Sequence, residues 1–210
     1  MTMQNNEHGV MNPSRPLLTA WDRKLMAWHE AGHAVVTRYS PEQEQISRIS
    51  IMPSDKAFGV METSSRRKYN TTRKSLTGNI AVALAGRISE EMFLHETSSS
   101  CIHDLNKARD IAIRMVATLG MGSRSGLLSC VNPVNNSFIL LSEQQREDLF
   151  LDVKDIIDEA RCNATKILEC HKDEVEKLAK KLIERGTLHK SDFKVLLNRA
   201  VAVQANQGNG

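Results

Sequence analysis

The sequence predicts a mainly α-helical fold with one small β-hairpin or edge sheet and a C-terminal helical bundle. Apolar residues recur at helical spacing over most of the 210 residues, and several of these stretches carry cap residues at their ends. A single β-branched run with a short partner is the only strand signal. The composition, 40% hydrophobic and 25% charged, suits a soluble globular chain able to bury one sizeable core.

Residues 1–20 read as a mobile arm, because Asn, Pro and polar side chains dominate and no period is visible. The first helix begins near Asp22 as its N-cap. It buries Leu25, Met26, Val35 and Val36 with the small Ala27, Ala31 and Ala34, and stops before Pro41. Residues 45–52, with Ile46, Ile49 and Ile51, read as a strand stopped by Pro53-Ser54-Asp55, and residues 57–63 as its short partner. Such a pair is either a packing hairpin or an edge that can pair with an extended peptide. Thr71 or Thr72 caps a helix reaching about Leu94, within which Gly86 admits close approach of another backbone. After the polar loop 95–100, a further helix starts within 100–103 and ends at Gly120. Asp104 then falls in its first turn, where the positive end of the helix favours an anion. Residues 124–141 read as an irregular or hairpin excursion. Ser142 caps a helix carrying Leu149, Val153, Ile156, Ile157, Ala160 and Ala164. Residues 171–185 form an amphipathic helix ended by Gly186, residues 191–199 a short one, and residues 204–210 a disordered tail.

Several function classes are excluded. The formal charge is +3, and the one dense basic run, Arg66-Arg67-Lys68 followed by Arg73-Lys74, has almost no aromatic neighbours for base stacking. It reads as a solvated loop, with no nucleic-acid partner. No apolar run approaches the roughly 18 residues of a membrane span. Cys101, Cys130, Cys162 and Cys170 form no C-x-x-C pair, and the first residues lack a signal peptide's apolar core. Reduced thiols in the cytoplasm follow.

The chemistry concentrates in His29-Glu30-Ala31-Gly32-His33. In a helix, residues four apart share a face, so His29 and His33 can direct both imidazoles at one metal ion with Glu30 beside them as general base. Catalytic zinc usually takes a third protein ligand and keeps a position for water. A metzincin would place Gly and His where this chain has Val36 and Tyr39, and the turn Pro53-Ser54-Asp55 stands where a thermolysin-type Glu would be expected on a helix. The remaining candidates are Glu90 or Glu91, Cys101 with His103, and Asp104. His8, His95, His171 and His189 have no partner at ligand spacing.

Four stretches in order, His29-Glu30-Ala31-Gly32-His33-Ala34, Phe58-Gly59-Val60, Ala85-Gly86-Arg87-Ile88-Ser89-Glu90-Glu91 and His103-Asp104-Leu105-Asn106-Lys107-Ala108, resemble the peptidase domain of the FtsH family of ATP-dependent zinc peptidases. The likeness extends weakly to Met115–Met121 and Arg185–Leu188. It implies a peptidase domain over 21–203, with a catalytic part at 21–141 and C-terminal helices at 142–200. It further implies Zn2+ held by His29, His33 and Asp104, with Glu90 and Glu91 close to the active-site helix without being ligands. Phe58, Gly59 and Val60 become the substrate-binding edge strand, unfolded or flexible polypeptides the substrate, and a homo-oligomeric ring, a hexamer, the assembly. The chain departs from the family in lacking membrane segments, the AAA module and any G-x-x-x-x-G-K-[ST] phosphate loop, so ATP-driven unfolding would need an AAA ATPase in trans. The loop Ser99-Ser100-Cys101-Ile102-His103 also replaces the family's small, Asn-containing run. The alternative function is a catalytically weak or inactive regulatory or adaptor protein that binds an AAA protease.

Overall fold

Helix α1 (Ala20–Tyr39) starts one turn earlier than Asp22 suggests. Thr19 is the N-cap, and Asp22 is the third helical residue of a capping box, accepting from the Thr19 backbone N–H while Thr19 Oγ1 accepts from the Asp22 N–H. The structure, a computed structural model, describes residues 18–40, 45–52, 59–64, 71–132, 135, 137–193 and 196. Most of the N-terminal arm, the 204–210 tail, Pro41, Phe58 and the run Arg66-Arg67-Lys68 lie outside them.

The chain is mainly α, as predicted. Strand β1 (Gln45–Ser50) pairs antiparallel with β2 (Val60–Ser64), Ile49 opposite Met61 and Ser50 opposite Val60. A third strand unforeseen in the sequence, β3 (Thr187–His189), pairs with the other side of β1, so that β2 lies at an edge in the order β2-β1-β3. Helix α2 (Arg73–Leu94) is capped by Thr72 and packs on α1. The close backbone approach comes where Gly32 meets the Ala85–Gly86 peptide: a Cβ on Gly32 would lie 2.7 Å from the Ala85 carbonyl oxygen. Ser89 Oγ donates to the Trp28 carbonyl at the same crossing, and Phe93 stacks on Trp28.

A 3₁₀ turn (Ser99–Cys101) leads into α3 (Ile102–Ile113), which continues as a π-helical stretch (Arg114–Thr118). Among the described residues of the 124–141 excursion, Val131 and Phe138 form an isolated bridge. Ser142 caps α4 (Glu143–Cys170), and α5 (Lys172–Arg185) ends at Gly186. Of the short helix expected at 191–199, residues 191–193 and 196 are helical. One continuous core joins α1, α2, α3, α4, α5, β1 and β3 through Val35, Ile80, Ala112, Leu168, Leu178, Ile49 and Leu188, among others. The motif helix therefore lies between α2 on one side and α5 on the other. No helix among the described residues is long and apolar enough to cross a membrane.

Candidate metal centre

The apolar stripe of α1 continues through the motif, so His29, Glu30 and His33 are carried into the interior, each 6% exposed. Asp104 arrives from the first turn of α3, less deeply buried. Its oxygen Oδ2 stands 3.2 Å from both His29 Nε2 and His33 Nε2, and the two nitrogens are 3.0 Å apart. Among the described residues this is the one group of three or more His, Cys, Asp or Glu side chains whose donor atoms converge as metal ligands would.

The second nitrogen of each ring settles what the first presents. His33 Nδ1 lies 2.7 Å from the Val82 carbonyl oxygen, which can only accept, so Nδ1 carries the proton. His29 Nδ1 lies 2.6 Å from Glu90 Oε1 and donates to it in the same way. In the neutral rings both Nε2 atoms therefore offer lone pairs, facing each other and a carboxylate oxygen. Three lone pairs at 3.0–3.2 Å repel unless a cation or a proton lies among them. A tetrahedral zinc with bonds of about 2.0–2.1 Å needs donors about 3.3 Å apart. The triangle fits that requirement with almost no adjustment.

Electrostatics point the same way. Burial disfavours charge on His29, but hydrogen bonding to Asp104 and Glu90 and the negative charge of Glu30 and Glu90 outweigh it and hold its pKa up at about 10. Burial also opposes ionisation of Asp104 and Glu90. The imidazoles for Asp104, and His29 with Ser98 for Glu90, nevertheless hold both carboxyls below their ordinary range. Glu30 differs: burial dominates and pushes its carboxyl up. Two carboxylates held ionised thus favour positive charge at the imidazoles, and a divalent cation at the triangle would supply it in place of a proton.

Helix α2 shapes the seat. A Cβ on Gly86 would lie 2.5 Å from His29 Cε1 and 2.6 Å from both Nε2 atoms, so only glycine leaves room for the two rings. Glu90, four residues on, is wholly buried and also accepts from the Ser98 N–H at 2.8 Å, tying His29 to the loop that delivers Asp104. Glu91 points elsewhere, to Arg87 at 3.0 Å. Cys101 is buried with Sγ donating to the Ser98 carbonyl at 3.0 Å, and His103 is exposed; neither joins the triangle. Gly59 lies against the Glu30 carboxylate at the start of β2 beside Val60, whereas Phe58 is outside the described residues. Sequence reasoning missed the Val82 carbonyl and Ser98. Neither carries a local signal, since one is a backbone atom and the other a serine in a polar loop.

The chain is similar to known proteins over most of its length. Residues 16–196 match the model of peptidase family M41. The chain is 32% identical over 202 residues to the ATP-dependent zinc metalloprotease FtsH 1 of Methylacidiphilum infernorum, covering 91% of this chain and 32% of that protein. It is 29% identical over 205 residues to FtsH 4 of Synechocystis, likewise named an ATP-dependent zinc metalloprotease, covering 92% of this chain and 32% of that protein. The chain spans about a third of the length of these curated relatives.

Proposed function

The chain belongs to peptidase family M41, and from that premise we propose that it is a zinc-dependent endopeptidase acting on unfolded or flexible polypeptides. The observation that carries the proposal is the convergence of His29 Nε2, His33 Nε2 and Asp104 Oδ2 beside a buried Glu30. These three residues would hold zinc, which supplies Lewis-acid chemistry, acidifying water and polarising the scissile carbonyl. Glu90 and Val82 hold the imidazoles in the tautomer that presents Nε2. Glu30 is the general base: its carboxylate takes the proton of the attacking water and returns it to the leaving amine nitrogen. Its raised pKa brings it closer to working pH, where a shuttle must both accept and release a proton. Strand β2 lies at the sheet edge, and an extended peptide pairing there would be held by backbone hydrogen bonds, largely independent of sequence.

The four cysteines are free thiols, which supports a reducing, cytoplasmic setting. Substrate delivery by an AAA ATPase in trans and assembly into a homo-oligomeric ring belong to the same reading. Zinc analysis together with casein hydrolysis tests it. About one zinc per chain is expected, with hydrolysis lost on chelation and reduced at least 100-fold in Glu30→Gln while zinc is retained. Hydrolysis unchanged in Glu30→Gln refutes the proposal. Bound zinc without hydrolysis by the parent chain favours the regulatory or adaptor alternative.

A further inference from the structure

Gly59 immediately precedes β2 and is half-buried. A Cβ built on its backbone would lie 2.4 Å from Glu30 Oε1, 3.1 Å from Cδ and 3.3 Å from Cγ. The first separation is sterically forbidden, and all three atoms belong to the Glu30 side chain. A side chain at this position would meet the Glu30 carboxylate.

What would yield to an added methyl group follows from stiffness. From Val60 onward β2 is registered against β1, whose Ile49 is a core residue, as is Ile51 just beyond the strand. Helix α1 is packed between α2 and α5. The carboxylate, by contrast, is the end of a side chain with several torsions, so it moves first.

We propose that Gly59 is a positioning residue for Glu30, its missing side chain leaving the space in which the carboxylate stands at the head of the edge strand. One contact then aligns the strand that pairs with a substrate and the base that acts on it. This inference rests on the peptidase reading above.

Gly59→Ala tests it through kinetics, metal content and a crystal structure. Zinc content and thermal midpoint should match the parent and KM should stay within about threefold. Turnover should fall about 100-fold, the order that a misplacement of about 1 Å costs. Glu30→Asp withdraws the carboxylate by one methylene, so adding Gly59→Ala to it should lower kcat by less than about threefold further, because the methyl group no longer meets the carboxylate. The crystal structure of Gly59→Ala should show Glu30 Oε1 displaced and β2 unmoved. Parental turnover in Gly59→Ala overturns the proposal. So does a full 100-fold loss on top of Glu30→Asp, a structure in which β2 moves and Glu30 does not, or failure of the variant to fold. If the parent hydrolyses no polypeptide, the peptidase reading fails separately, and the crystal structure still decides whether residue 59 positions Glu30.

Discussion

Replacing Glu90 by Gln separates the two adjacent glutamates of α2. The Glu90 carboxylate is wholly buried and accepts from His29 Nδ1 at 2.6 Å, Ser98 Oγ at 3.0 Å and Ser100 Oγ at 3.3 Å on Oε1, and from the Ser98 N–H at 2.8 Å on Oε2. Gln keeps the shape but exchanges one acceptor for a donor. If its amide oxygen serves His29, its NH₂ faces the Ser98 N–H; if it is flipped, the His29 proton loses its acceptor. Either way one buried donor is left unmatched, costing about 1–3 kcal/mol of stability. The ligand histidine also loses the negative charge that raises its basicity, an effect of roughly 10–100-fold in metal affinity, or about 1.4–2.7 kcal/mol. Competition with a chromogenic chelator measures the zinc dissociation constant, and thermal melting of the metal-free chain measures stability. The expected result is a zinc dissociation constant about 10–100-fold higher in Glu90→Gln and within twofold of the parent in Glu91→Gln. The latter loses a half-exposed pair with Arg87, 37% and 35% exposed at the side chains, and a looser one with Arg161 at 3.9 Å, surface pairs that contribute a few tenths of a kcal/mol each. Equal zinc affinity in Glu90→Gln and the parent, or equal loss in the two variants, would refute this account of the site.

Two further substitutions probe the metal seat and the fold. Gly86→Ala places a Cβ against rings pinned by Glu90 and Val82, so neither can retreat without losing its hydrogen bond. Zinc affinity should fall more than about 100-fold while far-ultraviolet circular dichroism stays helical, and near-parental affinity would contradict the seat described here. Asp152→Asn addresses a buried carboxylate of α4 that accepts from the Ser125 and Arg124 N–H groups and the Ser123 and Ser125 hydroxyls. Burial works against its ionisation, but those donors prevail and hold its carboxyl below the ordinary range. A folded pKa below the unfolded one gives stability that is present above about pH 4 and lost as pH falls below it. Urea unfolding of metal-free protein should therefore weaken on acidification more steeply for the parent than for the variant, which at pH 7 is less stable by about 2–4 kcal/mol. Matching pH slopes would remove Asp152 from that role.

Much of the fold was legible because its determinants are local. Thr72 and Ser142 cap the helices that their positions suggest, and the β-branched run forms a strand through Ile46 and Ile49 that ends at Ser50, before Ile51. The start of α1 was displaced because Thr19 and Asp22 are both good caps, and only their reciprocal hydrogen bonds show that Asp22 is already inside the helix. Strand β3 was not legible. Three residues, Thr187-Leu188-His189, carry no period, and they become a strand only because β1 offers an open edge more than a hundred residues earlier in the chain. Asp152 left a signal that went unused. It stands three residues after Leu149 and four before Ile156, on the face that α4 buries, where a carboxylate must find donors.

The site divides along the same line between local and distant causes. His29, Glu30 and His33 could be placed together from their spacing alone, whereas Asp104 lies 71 residues beyond His33 and meets it only because α2 and the loop after it turn α3 back onto α1. No periodicity encodes that return, and only family resemblance suggested it. The choice between Glu90 and Glu91, however, lay within reach of helical geometry. Gly86, Ser89, Glu90 and Phe93 follow the spacing of one helix face, and each meets α1: Gly86 at the two imidazoles, Ser89 at the Trp28 carbonyl, Glu90 at His29 and Phe93 at the Trp28 ring. Glu91 belongs to the neighbouring face with Arg87. A glycine in mid-helix, with a small polar residue, a carboxylate and an aromatic at that spacing, marks the face of α2 that receives the motif helix. On such a face a wholly buried Glu remains ionised because donors meet it, here the His29 imidazole together with the Ser98 N–H and hydroxyl.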